Sequence, residues 1–165
     1  MQRSIFGLAL VFLAAGVRAA DRLPVEEDVA AVAKGEKVTV VHFWAPWCSN
    51  CYGEIAKPDG WGKFITTNPD VNVVFVTSWN GGQGDGKALL EKNGVGRQPN
   101  FRLFLHPNGE RSDAARMRTF LGHEVNWLPA TWVFRAGKLR YALNYGEVRF
   151  SILQQLVKDA AEKWE

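Results

Sequence analysis

Residues 43–51 read FWAPWCSNC and hold both cysteines of the chain, Cys48 and Cys51. Just upstream, VTVVHFW (38–44) is a nearly continuous apolar, β-branched run, the pattern of a central strand covered on both faces. Just downstream, the cysteine pair opens a helix predicted to run to about Lys57, where PDG (58–60) interrupts it. A C-x-x-C pair by itself serves redox chemistry, zinc binding, haem attachment or a structural cross-link, so its surroundings must choose.

Haem attachment requires a histidine directly after the second cysteine, and Tyr52 stands there. A structural zinc site needs four ligands, but the three histidines, His42, His106 and His123, fall at no finger spacing. A plain staple is the bland alternative. Closing so short a loop removes little entropy from the unfolded chain and stabilises weakly. Redox chemistry fits the placement best. At the start of a helix, Cys48 sits where the N-terminus favours negative charge and so stabilises the thiolate, the form that attacks disulfides. Cys51, a turn further on, is expected to be more buried and to resolve the mixed disulfide.

Working outward, LPVEEDVAAVA (23–33) reads as a helix with Pro24 near its start and acids in its first turn. WGKFITTN (61–68) reads as a further helical piece and VNVVFVTSW (71–79) as a second buried strand. The loop NGGQGDG (80–86) leads to a short helix at 87–93, and FRLFL (101–105) is a third strand closed by the turn HPNGE. DAARMRTFLG (113–122) has helical spacing and ends at a glycine, so a helix is expected there. ATWVF (130–134) and KLRYALNY (138–145), joined by RAGK, form a hairpin, and 148–164 closes the chain as an amphipathic helix. Strands alternating with helices, then a hairpin and a helix, predict an α/β fold with a central mixed β-sheet flanked by helices.

The 165-residue chain opens with the basic MQRS and a twelve-residue apolar run, IFGLALVFLAAG, too short to span a bilayer comfortably. VRA then offers small residues for cleavage after Ala19. Residues 1–19 are thus read as a signal peptide, or an anchor if uncleaved, and 20–165 as the exported domain. Removing Arg3 and Arg18 lowers the formal charge from +3 to +1, so the sequence pI near 9.0 is no argument for nucleic acid. Export also lets two cysteines keep a disulfide.

FWAPWCSNC resembles the active-site segment of thioredoxins, a strand running into W-A-x-W-C-x-x-C at a helix start. LPATWVFRAGKLRYALNYG (128–146) resembles the same family's Pro-Thr strand–turn–strand. Together they cover roughly 25–163 and imply a thioredoxin fold with the C-x-x-C at a helix N-terminus. Export and Glu54, which completes a C-x-x-C-x-x-E pattern, make the chain similar to the extracytoplasmic TlpA/ResA/DsbE-type thiol–disulfide oxidoreductases, as does FRLFLHPNGE before the proline loop. Three features depart from that pattern. Residues 20–37 leave no room for an N-terminal hairpin, Ala56 stands where the active-site helix carries its proline, and His42 replaces a buried Asp.

The resemblance implies catalysis by Cys48 and Cys51 with no cofactor beyond their disulfide, and a cis Leu128–Pro129 bond facing the pair. Trp47 is expected at the rim of the substrate groove beside Leu128, with Trp44 in the core. His42, six residues before Cys48, is either a core histidine bonded to backbone or a proton exchanger for Cys51, since imidazole titrates near neutrality. Burial lowers its pKa and a nearby thiolate raises it. Glu54, three residues after Cys51, is either a solvated acid or a modulator of thiol ionisation. His123, Asn126 and Trp127 read as surface loop. GGQGDGK (81–87) matches the first seven positions of a P-loop, but Ala88 replaces the hydroxyl ligand for magnesium, so no nucleotide is expected.

The implied partners are proteins with cysteines or disulfides, and the implied direction is reduction, fed by a membrane electron donor, for cytochrome c maturation or copper-site assembly. A periplasmic or other extracytoplasmic location follows, soluble or held by the N-terminal segment. An oxidase that introduces disulfides is the alternative in the same chemistry. A copper(I)-binding assembly factor is the alternative outside it, although Met1 and Met117 make no methionine-rich patch.

Overall fold

A computed structural model describes residues 23–107, 109, 110, 112, 116–144 and 146–162. The proposed signal segment, 1–19, lies outside the described residues.

The elements run in the order α1 (Pro24–Ala33), β1 (Thr39–Trp44), α2 (Ser49–Ala56), α3 (Trp61–Thr67), β2 (Asn72–Thr77), α4 (Lys87–Lys92), β3 (Phe101–Leu105), β4 (Thr119–Phe120), β5 (His123–Glu124), β6 (Ala130–Arg135), β7 (Lys138–Leu143) and α5 (Phe150–Ala161). Five strands form one mixed sheet in the order β3-β2-β1-β6-β7. β1 lies parallel to β2, and β2 to β3, while β6 runs antiparallel to both β1 and β7. The apolar, β-branched runs TVVHFW and NVVFVT make the two inner parallel strands, and every residue of β1 is buried. That is the burial a strand with helices on both faces requires.

Side chains alternate between the faces of β1. Phe43 points to one side, meeting Phe120 and Trp132 edge-on at ring separations of 5.1 and 4.6 Å. His42 and Trp44 point to the other, against Phe75 at 4.7 and 6.0 Å. On this second side Trp61 of α3 closes over His42 and Phe75, and Phe150 of α5 packs on Trp61 at 5.3 Å. The cysteine helix α2 joins α3 on this same side. Asn100, just before β3, donates its amide to the carbonyls of Ile65, Asn68 and Val71 at 3.2, 3.0 and 2.9 Å, tying the end of α3 to the start of β2.

One predicted helix is overturned. Residues 113–115 are not described, but Arg116–Arg118 are irregular and Thr119–Phe120 pair with His123–Glu124 as a small hairpin. Met117 and Phe120 are buried three residues apart, which imitates a helical stripe. Leu121 and Gly122 both have positive φ, 50° and 79°, the turn that suits a two-residue hairpin. The glycine read as a helix stop is the second residue of that turn. Among the described residues, no helix is long and apolar enough to cross a membrane.

Candidate active site

Cys48 is the N-cap of α2, in extended conformation (φ −77°, ψ 111°), and its Sγ accepts a hydrogen bond from the Cys51 backbone N–H at 3.3 Å. The two cysteines are joined in a disulfide, with Cα atoms 5.2 Å apart. Strand β1 ends at Trp44, and Ala45–Trp47 turn the chain so that the helix begins at its carboxyl end. Cys48 keeps 6% of its surface exposed while Cys51 has none. The first sulfur is therefore the one a partner reaches, and the second stands behind it. In a reduced pair, the helix N-terminus and the Cys51 N–H would both favour the Cys48 thiolate.

The loop before β6 faces this pair. Its Leu128–Pro129 peptide bond is cis, and both residues are buried. Leu128 lines a cleft of about 290 Å³ together with Trp47, Cys48, Trp79, Arg116, Asn126 and Trp127. Trp47 is half-buried at its edge, its indole N–H donating to the Trp79 carbonyl. A second cavity of about 320 Å³ lies between α4 and β3, lined by Asp85, Lys87, Glu91 and Phe101 among others, and has no cysteine on its walls. The reactive sulfur singles out the first.

Behind the disulfide lies a buried polar cluster. Glu54 and His42 are both fully buried. Glu54 Oε1 accepts from the Val148 N–H, and Oε2 accepts from the Trp61 indole N–H at 3.1 Å. His42 Nδ1 shares a 2.9 Å hydrogen bond with Thr131 Oγ1, its cross-strand neighbour on β6. His42 Nε2 lies 3.4 Å from Glu54 Oε2 but makes no hydrogen bond of good geometry. Burial pushes the Glu54 carboxyl up from 4.5 to about 7, against the pull of its bonds to Val148 and Trp61. Burial alone drives the His42 imidazole down from 6.5 to about 3. Around neutral pH, with the disulfide closed, the histidine is neutral and the glutamate is partly protonated.

The solvated reading of Glu54 is thus excluded, and His42 is buried with a threonine side chain as its partner in place of the expected backbone. Sequence reasoning missed Thr131, Trp61, Trp79 and Arg116. Thr131 carried a faint signal, standing two residues after Pro129 in the first arm of the predicted hairpin. The glycine-rich loop is tied internally: Asn80 Nδ2 donates to Gly84 O at 2.7 Å, and the Lys87 N–H at the start of α4 donates to the Asp85 carboxylate at 3.0 Å. A carboxylate already occupies the place a phosphate would take. Among the described residues, no group of three or more His, Cys, Asp or Glu is placed to hold a metal.

A mixed sheet with a C-x-x-C disulfide capping the helix after its central strand, opposite a cis-proline loop, defines a thioredoxin-fold protein. The solved structures agree. The chain is similar to a secreted Mycobacterium tuberculosis disulfide oxidoreductase homologous to E. coli DsbE, at TM-score 0.54 and 21% identity over 78% of this chain and 85% of that one. It is also similar to a DsbF homologue from Corynebacterium diphtheriae, at TM-score 0.57 and 17% identity over 78% and 74%. By sequence it is 34% identical over 107 residues to a protein disulfide-isomerase-like protein, EhSep2, of Emiliania huxleyi. That match takes in 64% of this chain, and the chain spans about half, 46%, of that relative. No family model matches the chain.

Proposed function

We propose that the chain is an exported thiol–disulfide oxidoreductase that reduces disulfides in other proteins. The observation that carries this reading is the asymmetry of the pair, with Cys48 at the helix cap on a cleft and Cys51 fully buried behind it. The Cys48 thiolate attacks one sulfur of a substrate disulfide, and the other substrate sulfur leaves as a thiolate. The Cys51 thiolate then attacks Cys48 Sγ, releasing the second substrate sulfur. Two electrons pass to the substrate and the Cys48–Cys51 disulfide is left behind. Leu128 and Pro129 offer backbone to the substrate segment, and Trp47 borders it.

The proton traffic falls on Glu54. A carboxyl near 7 both gives and takes a proton at neutral pH. It stands one helical turn beyond Cys51, the sulfur that must lose a proton before it resolves the mixed disulfide. His42 modulates as a neutral partner of that carboxyl. Ser49 and Asn50 bring no charge between the cysteines, so nothing there drives the pair toward a strong oxidant. The reductant role, in cytochrome c maturation or copper-site assembly, rests on likeness to the extracytoplasmic oxidoreductases, as does supply of electrons by a membrane donor. Export rests on residues 1–19.

The deciding experiment is the redox equilibrium of Cys48–Cys51 against a glutathione series, followed by thiol trapping. A potential near the thioredoxin value of about −270 mV is expected. A value near −120 mV, that of a strong oxidant, would replace the reductant role with disulfide introduction.

A further inference from the structure

The cleft beside Cys48 is unusual for what walls it. Three tryptophans, Trp47, Trp79 and Trp127, surround the sulfur together with Leu128, and Trp127 leaves 46% of its surface open. Trp79 has a positive φ of 53°, a conformation that bulky residues rarely adopt and that persists only where surrounding contacts hold it. Those contacts are on hand: its indole N–H donates to Met117 O at 3.0 Å, its own carbonyl accepts from Trp47, and the Arg116 guanidinium lies 5.1 Å from its ring centre. Arg116 is also the one formally charged side chain among the described residues lining the cleft. At about 290 Å³ the space falls just below the roughly 300–1,000 Å³ that encloses a drug-sized ligand, and so suits a single large side chain.

We propose that this cleft selects substrates carrying an aromatic or large aliphatic residue two positions from the attacked cysteine, and rejects a lysine or arginine there. The inference rests on the oxidoreductase reading and names the substrate class of the same site. In an extended segment, residues two apart project to the same side. A substrate cysteine aimed at Cys48 therefore aims its second neighbour into the cleft, and its immediate neighbours away. Tryptophan walls reward apolar area and ring stacking, and a lysine or arginine would have to shed its water to enter.

The test uses reduced protein and ten-residue peptides whose single cysteine is held as a mixed disulfide with glutathione. Phe, Leu, Gly or Lys is placed one or two residues from that cysteine, and oxidised glutathione serves as a substrate without any side chain for the cleft. Attack of Cys48 on the peptide sulfur expels glutathione as its thiolate. Cys51 then releases the peptide thiol and closes the Cys48–Cys51 disulfide. Phe or Leu two residues away is expected to raise kcat/KM at least tenfold over Gly, with Lys below Gly and the one-residue series flat. Trp127→Ala, a substitution of a half-open side chain, is expected to bring the Phe-to-Gly ratio below about threefold. Oxidised glutathione reacting while all peptides fall within threefold would overturn the cleft proposal and leave the activity standing. No reaction with any disulfide would overturn both.

Discussion

Replacing Glu54 by Gln should change how stability depends on pH, and the change can be worked out by counting protons. From about pH 3 to about pH 7 the folded protein carries one proton on the His42–Glu54 pair, held by the glutamate. Between 4.5 and 6.5 the unfolded chain also carries one, held by the histidine. Two large opposing shifts therefore cancel. The raised Glu54 pKa makes stability fall as pH rises from 4.5 to about 7, because the folded state keeps a proton the unfolded state has lost. The lowered His42 pKa makes stability rise from about 3 to 6.5, because the unfolded state takes a proton the folded state refuses. In Glu54→Gln only the second effect survives. At about 1.4 kcal/mol per pH unit, the variant should gain about 3 kcal/mol over the wild type between pH 4.5 and 6.5. A constant offset of about 1 kcal/mol, from turning an amide toward the Trp61 N–H, leaves that slope untouched. Urea unfolding of the oxidised proteins at pH 4.5, 5.5 and 6.5 reads the difference directly. Parallel profiles for the two proteins would refute the raised Glu54 pKa, and a flat profile for the variant between pH 4.5 and 6.5 would refute the lowered His42 pKa.

Two further substitutions probe the scaffold that holds the site. At Gly86, φ is 75° and an added Cβ would lie 2.5 Å from the buried Trp44 ring, so Gly86→Ala should lose about 3 kcal/mol or more in urea unfolding; a loss under 1 kcal/mol would show that the loop can move away. Asn100→Ala removes the amide that reaches three carbonyls and should cost about 1–3 kcal/mol, read as a lowered midpoint with an unchanged denaturant slope. An unchanged midpoint would mean water replaces all three bonds at no cost.

The strands and the cysteine helix were legible because their signals are local. VTVVHFW and VNVVFVTSW are too uniformly apolar to lie at a sheet edge, and β1 and β2 occupy its interior. The hairpin at Thr119–Glu124 was not legible, because Met117 and Phe120 bury a helical stripe's worth of residues while Leu121 and Gly122 take left-handed backbone. The same limit hid the polar cluster. Three-residue spacing places Glu54 one turn beyond Cys51, but its burial comes from Trp61 and the far-off Val148. Thr131 reaches His42 across 89 residues of sequence through the antiparallel register of β1 and β6. The cleft is hidden for a related reason. Trp79, Arg116 and Trp127 come from three separate loops, where no period announces a shared surface.

The cluster also accommodates Glu54 in either protonation state while His42 stays neutral. If Glu54 is protonated, its hydroxyl is the donor toward His42 Nε2, and Nδ1 must then carry the ring proton and donate to Thr131 Oγ1. If Glu54 is ionised, it becomes the acceptor, Nε2 carries the proton, and Nδ1 accepts from the Thr131 hydroxyl. A threonine hydroxyl serves in either direction, whereas a backbone carbonyl could only accept and would lock one tautomer. The 3.4 Å gap between Nε2 and Oε2 is longer than a good hydrogen bond and must close for this exchange. On the proposed mechanism the ring is neutral in both states, with Nδ1 protonated beside the Glu54 carboxyl and Nε2 protonated beside its carboxylate. A buried aspartate in place of His42 would add a second negative charge beside Glu54 as the thiols ionise. The neutral ring avoids that repulsion.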